Sequence, residues 1–169
     1  MTLIVCGLAE VPAIIAARAP SHLITLLDPA SMIETPEGFA ERHLKLGVND
    51  IAEAMDGLIL PHEGLVVDLL AFGRTWDERA PMIVHCWAGI SRSSASAFVL
   101  ACERNPEVSE RTIAMTMRKA AKHAYPNRRI VALADDMMGR RGRMVDAVEA
   151  MGDYEYSGVG QPFDFPARF

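Results

Sequence analysis

Short apolar runs alternate along the chain with longer stretches whose apolar positions recur every three or four residues. Thr2–Leu8 (TLIVCGL) and His22–Leu27 (HLITLL) read as strands, closed by Gly or by Asp-Pro. Between them Val11–Ala19 reads as a helix, with Pro12 in the first turn, where a missing N–H costs nothing. Asp28–Gly38 is rich in turn residues. Arg42–Val48 (RHLKLGV) alternates like a third strand and runs into Asn49-Asp50.

Helical spacing returns over His62–Arg79, with Gly73 weakening its second half by about 1 kcal/mol relative to Ala. Pro81–His85 (PMIVH) is a compact strand, and the CWAGISRSS segment leads into a small-residue helix over Arg92–Arg104. Asn105-Pro106 ends that helix. Ser109 is placed to cap a helix over Glu110–His123, and Tyr125-Pro126-Asn127 turns the chain into another over Arg128–Met138. A last short helix spans Arg143–Met151. There is no internal repeat and no second-domain linker. This order predicts a single α/β domain, a mainly parallel central sheet flanked by helices on both sides, over residues 1–152. Residues 153–169 are aromatic and broken by Gly and Pro, a tail that packs as an extended strip or stays mobile.

Composition narrows the function. The chain has 169 residues, half of them hydrophobic and 23% charged, as in an ordinary globular domain, which excludes a disordered or fibrous protein. Seventeen basic against twenty-two acidic side chains give a net charge of −5, which argues against nucleic acid or a membrane surface as partner. The charge is uneven: residues 118–143 hold eight basic and two acidic side chains, a cluster read as the solvated face of two helices. No apolar run approaches the ~20 residues of a membrane helix, and the N-terminus lacks the basic start and apolar stretch of a signal peptide. Three separated cysteines (Cys6, Cys86, Cys102) without a C-x-x-C pair point to a reducing compartment, so the expected location is cytoplasmic. The five histidines show no metal-ligand spacing, so neither metal nor cofactor is expected.

The chemistry concentrates in His85-Cys86-Trp87-Ala88-Gly89-Ile90-Ser91-Arg92-Ser93. A strand ends at His85 and a helix begins near Arg92, so the residues between must turn sharply, with Gly89 supplying backbone freedom. A loop of this kind aims successive N–H groups of Trp87, Ala88, Gly89, Ile90 and Ser91 at one point. The following helix adds its positive end, and the result is an anion cradle. The same field stabilises a thiolate at Cys86, the nucleophilic form. Arg92 offers a planar fork for two phosphate oxygens. Ser93 can donate to the sulfur as it leaves, and His85 can hold the loop's shape through its backbone. Together these groups suit phosphoryl transfer through a cysteinyl-phosphate.

The segment resembles the H-C-x5-R-[S/T] signature of the cysteine-dependent protein tyrosine phosphatases. His85, Cys86, Gly89, Arg92 and Ser93 occupy its defining positions. The small size looks like the compact, dual-specificity branch, and the similarity spans approximately residues 20–140. The resemblance implies a metal-independent phosphatase acting on a phosphorylated protein, through tyrosine or with dual specificity. The alternatives are a non-protein phosphoester, such as an inositol phosphate or nucleotide, and a phospho-binding module without turnover. Sulfur transfer or arsenate reduction is a further use of such a loop. The resemblance also implies an acid/base Asp some thirty-odd residues before the cysteine, after a strand. Asp50 fits best; Asp56 sits in the same loop, and Asp68 falls inside a predicted helix. Trp87-Ala88 bring no lysine where phosphoinositide-directed relatives carry them, and no aromatic recognition loop of the classical type is evident. Arg128 and Arg129 can reach an acidic substrate flank or form a solvated helix start. Tyr154 and Tyr156 read as surface anchors of the tail.

Overall fold

The computed structural model describes residues 1–155 and 158–169, so Tyr156 lies outside the described residues. Five strands form one sheet: β1 (Thr2–Gly7), β2 (His22–Leu27), β3 (His43–Gly47), β4 (Met82–Cys86) and β5 (Phe163–Pro166), in the order β3-β2-β4-β1-β5. The first four run parallel, and β5 closes the edge antiparallel to β1. Strands β1, β2 and β4 are buried on both faces, which is why they read as unbroken apolar runs. The extended strip within 153–169 thus joins the sheet through Phe163 and Phe165.

Helix α1 (Val11–Arg18) covers one face, packing Val11, Ile14 and Ile15 against Ile4, Cys6, Leu23 and Ile83. The other face carries α2 (Glu63–Thr75), α3 (Arg92–Arg104), α4 (Glu110–Ala120), α5 (Arg128–Met137) and α6 (Arg143–Glu149). Helix α3 is the hub: every residue from Arg92 to Cys102 is buried. Its small side chains let neighbours approach closely, and Gly73 of α2 is needed because a side chain there would strike Leu100. No helix among the described residues is long and apolar enough to cross a membrane.

Helices α2 and α4 end well short of the ranges their periodicity predicts. Helix α2 stops at Thr75 because Trp76 turns extended, buries its ring and donates from Nε1 to the Ala80 carbonyl at 2.8 Å. Helix α4 stops at Ala120, where the Arg118 guanidinium takes the carbonyls of Ala121 (3.2 Å) and Lys122 (2.6 Å). Ser109 caps α4 as its sequence suggests, accepting from the Thr112 amide at 3.2 Å. In a parallel sheet the carboxyl ends of neighbouring strands open on one edge, and that edge gathers Asp28 after β2, Asn49-Asp50 after β3 and Cys86 at the end of β4.

Candidate active site

Residues 87–91 turn between β4 and α3, and the turn is fastened from outside through its carbonyls. Leu8 donates to the Trp87 carbonyl (3.1 Å), Gly160 to Ala88 (2.8 Å), Tyr125 to Ile90 (2.9 Å) and Asn127 to Ser91 (3.2 Å). The Ser94 hydroxyl adds a second bond to the Ile90 carbonyl at 2.5 Å. None of the amides of residues 87–91 donates to a protein group among the described residues. With carbonyls turned outward and amides unspent, the loop is built to receive an anion. Gly89 has φ of +72°, and a Cβ there would come within 2.6 Å of the backbone of Cys6 and Gly7. Only glycine fits both restrictions.

Cys86 is buried, with Sγ 3.2 Å from the Ser93 hydroxyl. Arg92, 4% exposed, donates from one terminal nitrogen to the Val48 carbonyl (2.7 Å) and to Asp28 Oδ1 (2.9 Å). Its Nε is buried and has no partner among the described residues. Asp50 is exposed at the rim. Its Oδ1 accepts from the Ser91 hydroxyl (2.7 Å) and the Asn127 amide (2.9 Å), and among the described residues no bond occupies its Oδ2. The Asn49 side chain holds the acid loop closed by accepting from the Ile59 amide at 2.8 Å. A cavity of about 460 Å³ joins Cys86, Trp87, Ala88, Ile90, Ser91 and Arg92 to Asp50, Asp28, Ile51 and Leu58.

The structure brings Cys86, Arg92, Ser93 and Asp50 together, and of the phosphate-loop residues only Gly89 stays behind the cavity, against β1. Asp56 and Asp68 do not line the cavity; Asp68 lies on the exposed side of α2. Trp87, 60% exposed, stands at the rim and does not cover the floor. His85 is fully buried beneath the loop, its Nδ1 3.4 Å from the Cys86 carbonyl. Burial pushes its ring down to about pKa 4, with His43 and Arg92 acting the same way and the Cys86 bond opposing. Burial also pushes the thiols of Cys6 and Cys102 up to about 12, leaving both inert. Cys6 and Cys86 belong to the cores on opposite faces of the sheet, and all three cysteines are free. Among the described residues no three His, Cys, Asp or Glu side chains converge as metal ligands.

Sequence reasoning missed the two residues that hold Arg92 and Asp50 at the cavity. Asp28, read as part of a turn, orients Arg92; its position after a parallel strand was the available signal. Asn127, also read as a turn residue, caps α5 by accepting from the amides of Arg129 and Ile130 while donating to Asp50.

No family model matches the chain, and no curated protein matches it. Among solved structures, PTPMT1 in complex with PI(5)P matches with a TM-score of 0.59 at 13% identity, over 83% of this chain and 94% of that one. OH1 from the Orf virus, a tyrosine phosphatase with triple substrate specificity, matches at 16% identity over 88% of this chain and 78% of its own, with a TM-score of 0.45. At such identities the likeness to PTPMT1 concerns architecture, and it agrees with the signature at residues 85–93: the chain has the fold of the cysteine-dependent tyrosine phosphatases.

Proposed function

We propose that the chain hydrolyses phosphomonoesters through a covalent cysteinyl-phosphate. The observation that carries the reading is the meeting on one cavity of the Cys86 thiol, a ring of unspent amides and Arg92, whose buried Nε has no partner among the described residues. A buried donor of this kind is costly unless a ligand satisfies it. A tetrahedral phosphate dianion supplies the missing acceptors.

In the first step the Cys86 thiolate attacks phosphorus, the S–P bond forms and the P–O bond to the leaving group breaks. Asp50, protonated on its free Oδ2, gives its proton to the departing oxygen. Arg92 and the loop amides hold the three peripheral oxygens as charge shifts among them. In the second step Asp50 takes a proton from water, the oxygen of that water attacks phosphorus, and the sulfur leaves as thiolate. The Ser93 hydroxyl, 3.2 Å away, donates to the departing sulfur. Inorganic phosphate is released and Asp50 ends protonated, ready for the next turnover.

The favoured substrate is a phosphorylated protein, through tyrosine or with dual specificity. A second cavity of about 490 Å³, lined by Tyr125, Asn127 and Arg128, shares Asp50, Ala88, Ile90 and Ser91 with the first. The two join along these residues into one trough. Hydrolysis of an aryl phosphate in excess chelator tests the reaction. Wild type is expected to turn over, Cys86→Ser to be inactive, and Asp50→Asn to fall about a hundredfold. Undiminished turnover in Cys86→Ser would sink the mechanism. Phosphopeptide binding without turnover in wild type would assign a binding module instead, and turnover of inositol phosphates or nucleotides alone would move the substrate away from protein.

A further inference from the structure

His85 lies beneath the loop in a continuous line of hydrogen-bonding groups that crosses three neighbouring strands. Register sets Thr25 of β2 beside His85 of β4 and beside Lys45 of β3, so His43, two residues before Lys45, shares their face of the sheet. Thr25 Oγ1 is 2.7 Å from His85 Nε2 and 2.7 Å from His43 Nε2. His43 Nδ1 is 3.0 Å from Thr35 Oγ1, and at the other end His85 Nδ1 is 3.4 Å from the Cys86 carbonyl.

Donor and acceptor roles along this line follow from one end. A carbonyl only accepts, so the His85 proton sits on Nδ1. The neutral ring then accepts at Nε2, and the Thr25 hydroxyl must donate to it. That uses the only proton Thr25 has, so His43 donates from Nε2 to Thr25 Oγ1. Neutral His43 in turn accepts at Nδ1 from Thr35. Both rings are neutral near pH 7: burial pushes each down to about 4, and Lys45 acts with burial on His43. Each group has a single role, and reversing one bond would leave the Cys86 carbonyl facing a bare nitrogen.

The Cys86–Trp87 peptide is trans, so the Trp87 amide points away from the Cys86 carbonyl. We propose that Thr25 and His43 are positioning residues of the active site: Thr25, held by His43, locks the His85 proton onto Nδ1, and that proton anchors the Cys86 carbonyl and turns the Trp87 amide toward the bound anion. The inference rests on the reading of Cys86 as nucleophile, but two parts of its test need no turnover.

Those parts are the histidine tautomers, read by nitrogen-15 NMR, and the pH dependence of Cys86 alkylation by iodoacetate; the third is kcat/KM on an aryl phosphate. Wild type should show His85 protonated on Nδ1 and His43 on Nε2. Thr25→Val should scramble the His85 tautomer, move the alkylation midpoint up by about one pH unit and lower kcat/KM about tenfold. Thr25→Ser should restore all three to within about twofold of wild type, and His43→Leu should fall between. The proposal is overturned by a wild-type His85 protonated on Nε2, by a folded Thr25→Val with tautomer and midpoint unmoved, or by Thr25→Ser as impaired as Thr25→Val. If Thr25→Val does not fold, the wild-type tautomers and Thr25→Ser decide. An inactive wild type with the stated tautomers would count against the phosphatase reading and leave the relay standing.

Discussion

Two arginines, one at the candidate active site and one in the helix layer, are almost equally buried and surrounded in opposite ways. Arg140, between α5 and α6, donates to Glu110 at 2.9 Å and to the Cys102 carbonyl at 2.8 Å, and no buried nitrogen of it lacks a partner. Arg143 closes the same carboxylate from the other side at 3.1 Å. Arg92 has Asp28 and the Val48 carbonyl on one nitrogen and nothing on Nε. The cluster of Arg140, Glu110 and Arg143 is complete without a ligand, whereas Arg92 keeps a buried Nε open at the candidate site. An open donor matters here because Arg92 lines a cavity beside unspent loop amides, where an anion can reach it.

Exchanging each arginine should break the comparison in opposite directions, and the effect at the catalytic edge should be the larger. Arg92→Lys keeps the charge but loses the fork, so kcat/KM on an aryl phosphate should fall about a thousandfold. Its unfolding free energy should stay within about 1 kcal/mol of wild type, because the Asp28 side chain it leaves is 46% exposed and reaches water. Arg140→Met should do the reverse, removing about 3 kcal/mol of stability by stranding the buried Glu110 carboxylate on one half-exposed arginine. Its kcat/KM per folded molecule should stay within about twofold. Urea unfolding and steady-state kinetics on both variants decide; equal losses of activity would show that the two regions are not independent.

Much of this division was legible in the sequence, and the rest was hidden for a physical reason. Local pattern carried the four parallel strands, the limits of α3 and the loop at residues 86–92, because period, capping and turn chemistry act over a few residues. The basic cluster of residues 118–143 was read as a solvated face, yet Arg118 binds three backbone carbonyls, Arg129 binds the Pro61 carbonyl, and Arg140 and Arg143 enclose Glu110. Charge counting cannot see a backbone carbonyl that a guanidinium binds, or a partner thirty or more positions away. Asp28, Thr25 and His43 escaped for the same reason, since strand register, and not spacing, sets them beside Arg92 and His85.

Acid titration should distinguish the two regions by window. His85 has an ordinary value of 6.5 and is held near 4 by burial, so on acidification the unfolded chain takes up that proton first. Stability from neutral His85 is complete above pH 6.5 and is lost as pH falls toward 4, a change on the order of 3 kcal/mol. Neutral His43 adds in the same direction. At Glu110 burial pushes the carboxyl up, but its own backbone amide, then Arg140 and Arg143, hold it below the usual carboxylate value of 4.5, so it contributes stability above 4.5 that is lost only at lower pH. Urea midpoints should therefore decline between pH 6.5 and 4.5 before Glu110 titrates, with His22 and His123, both lowered from 6.5 chiefly by burial, adding to the slope. A flat curve in that interval would contradict a neutral, buried His85.

The smallest effect belongs to the one basic side chain of α5 that faces the trough. Arg128 opens the helix, is exposed, and forms no ion pair among the described residues, while Arg129 beside it is fixed to the Pro61 carbonyl at 3.0 Å. Next to Arg128, the rings of Tyr125 and Tyr154 stack at 4.4 Å, giving the second cavity a flat wall. A solvent-screened pair between Arg128 and an acidic residue of a bound peptide is worth up to about 1 kcal/mol, or about fivefold in kcat/KM. Wild type should therefore prefer a phosphotyrosine peptide with a neighbouring Glu over its Gln counterpart by about that factor at low salt, and less as salt rises. Arg128→Ala should erase the preference. If Arg128→Ala retains it, the acidic flank is read elsewhere, and the catalytic edge ends at the arginine whose bonds are unfilled.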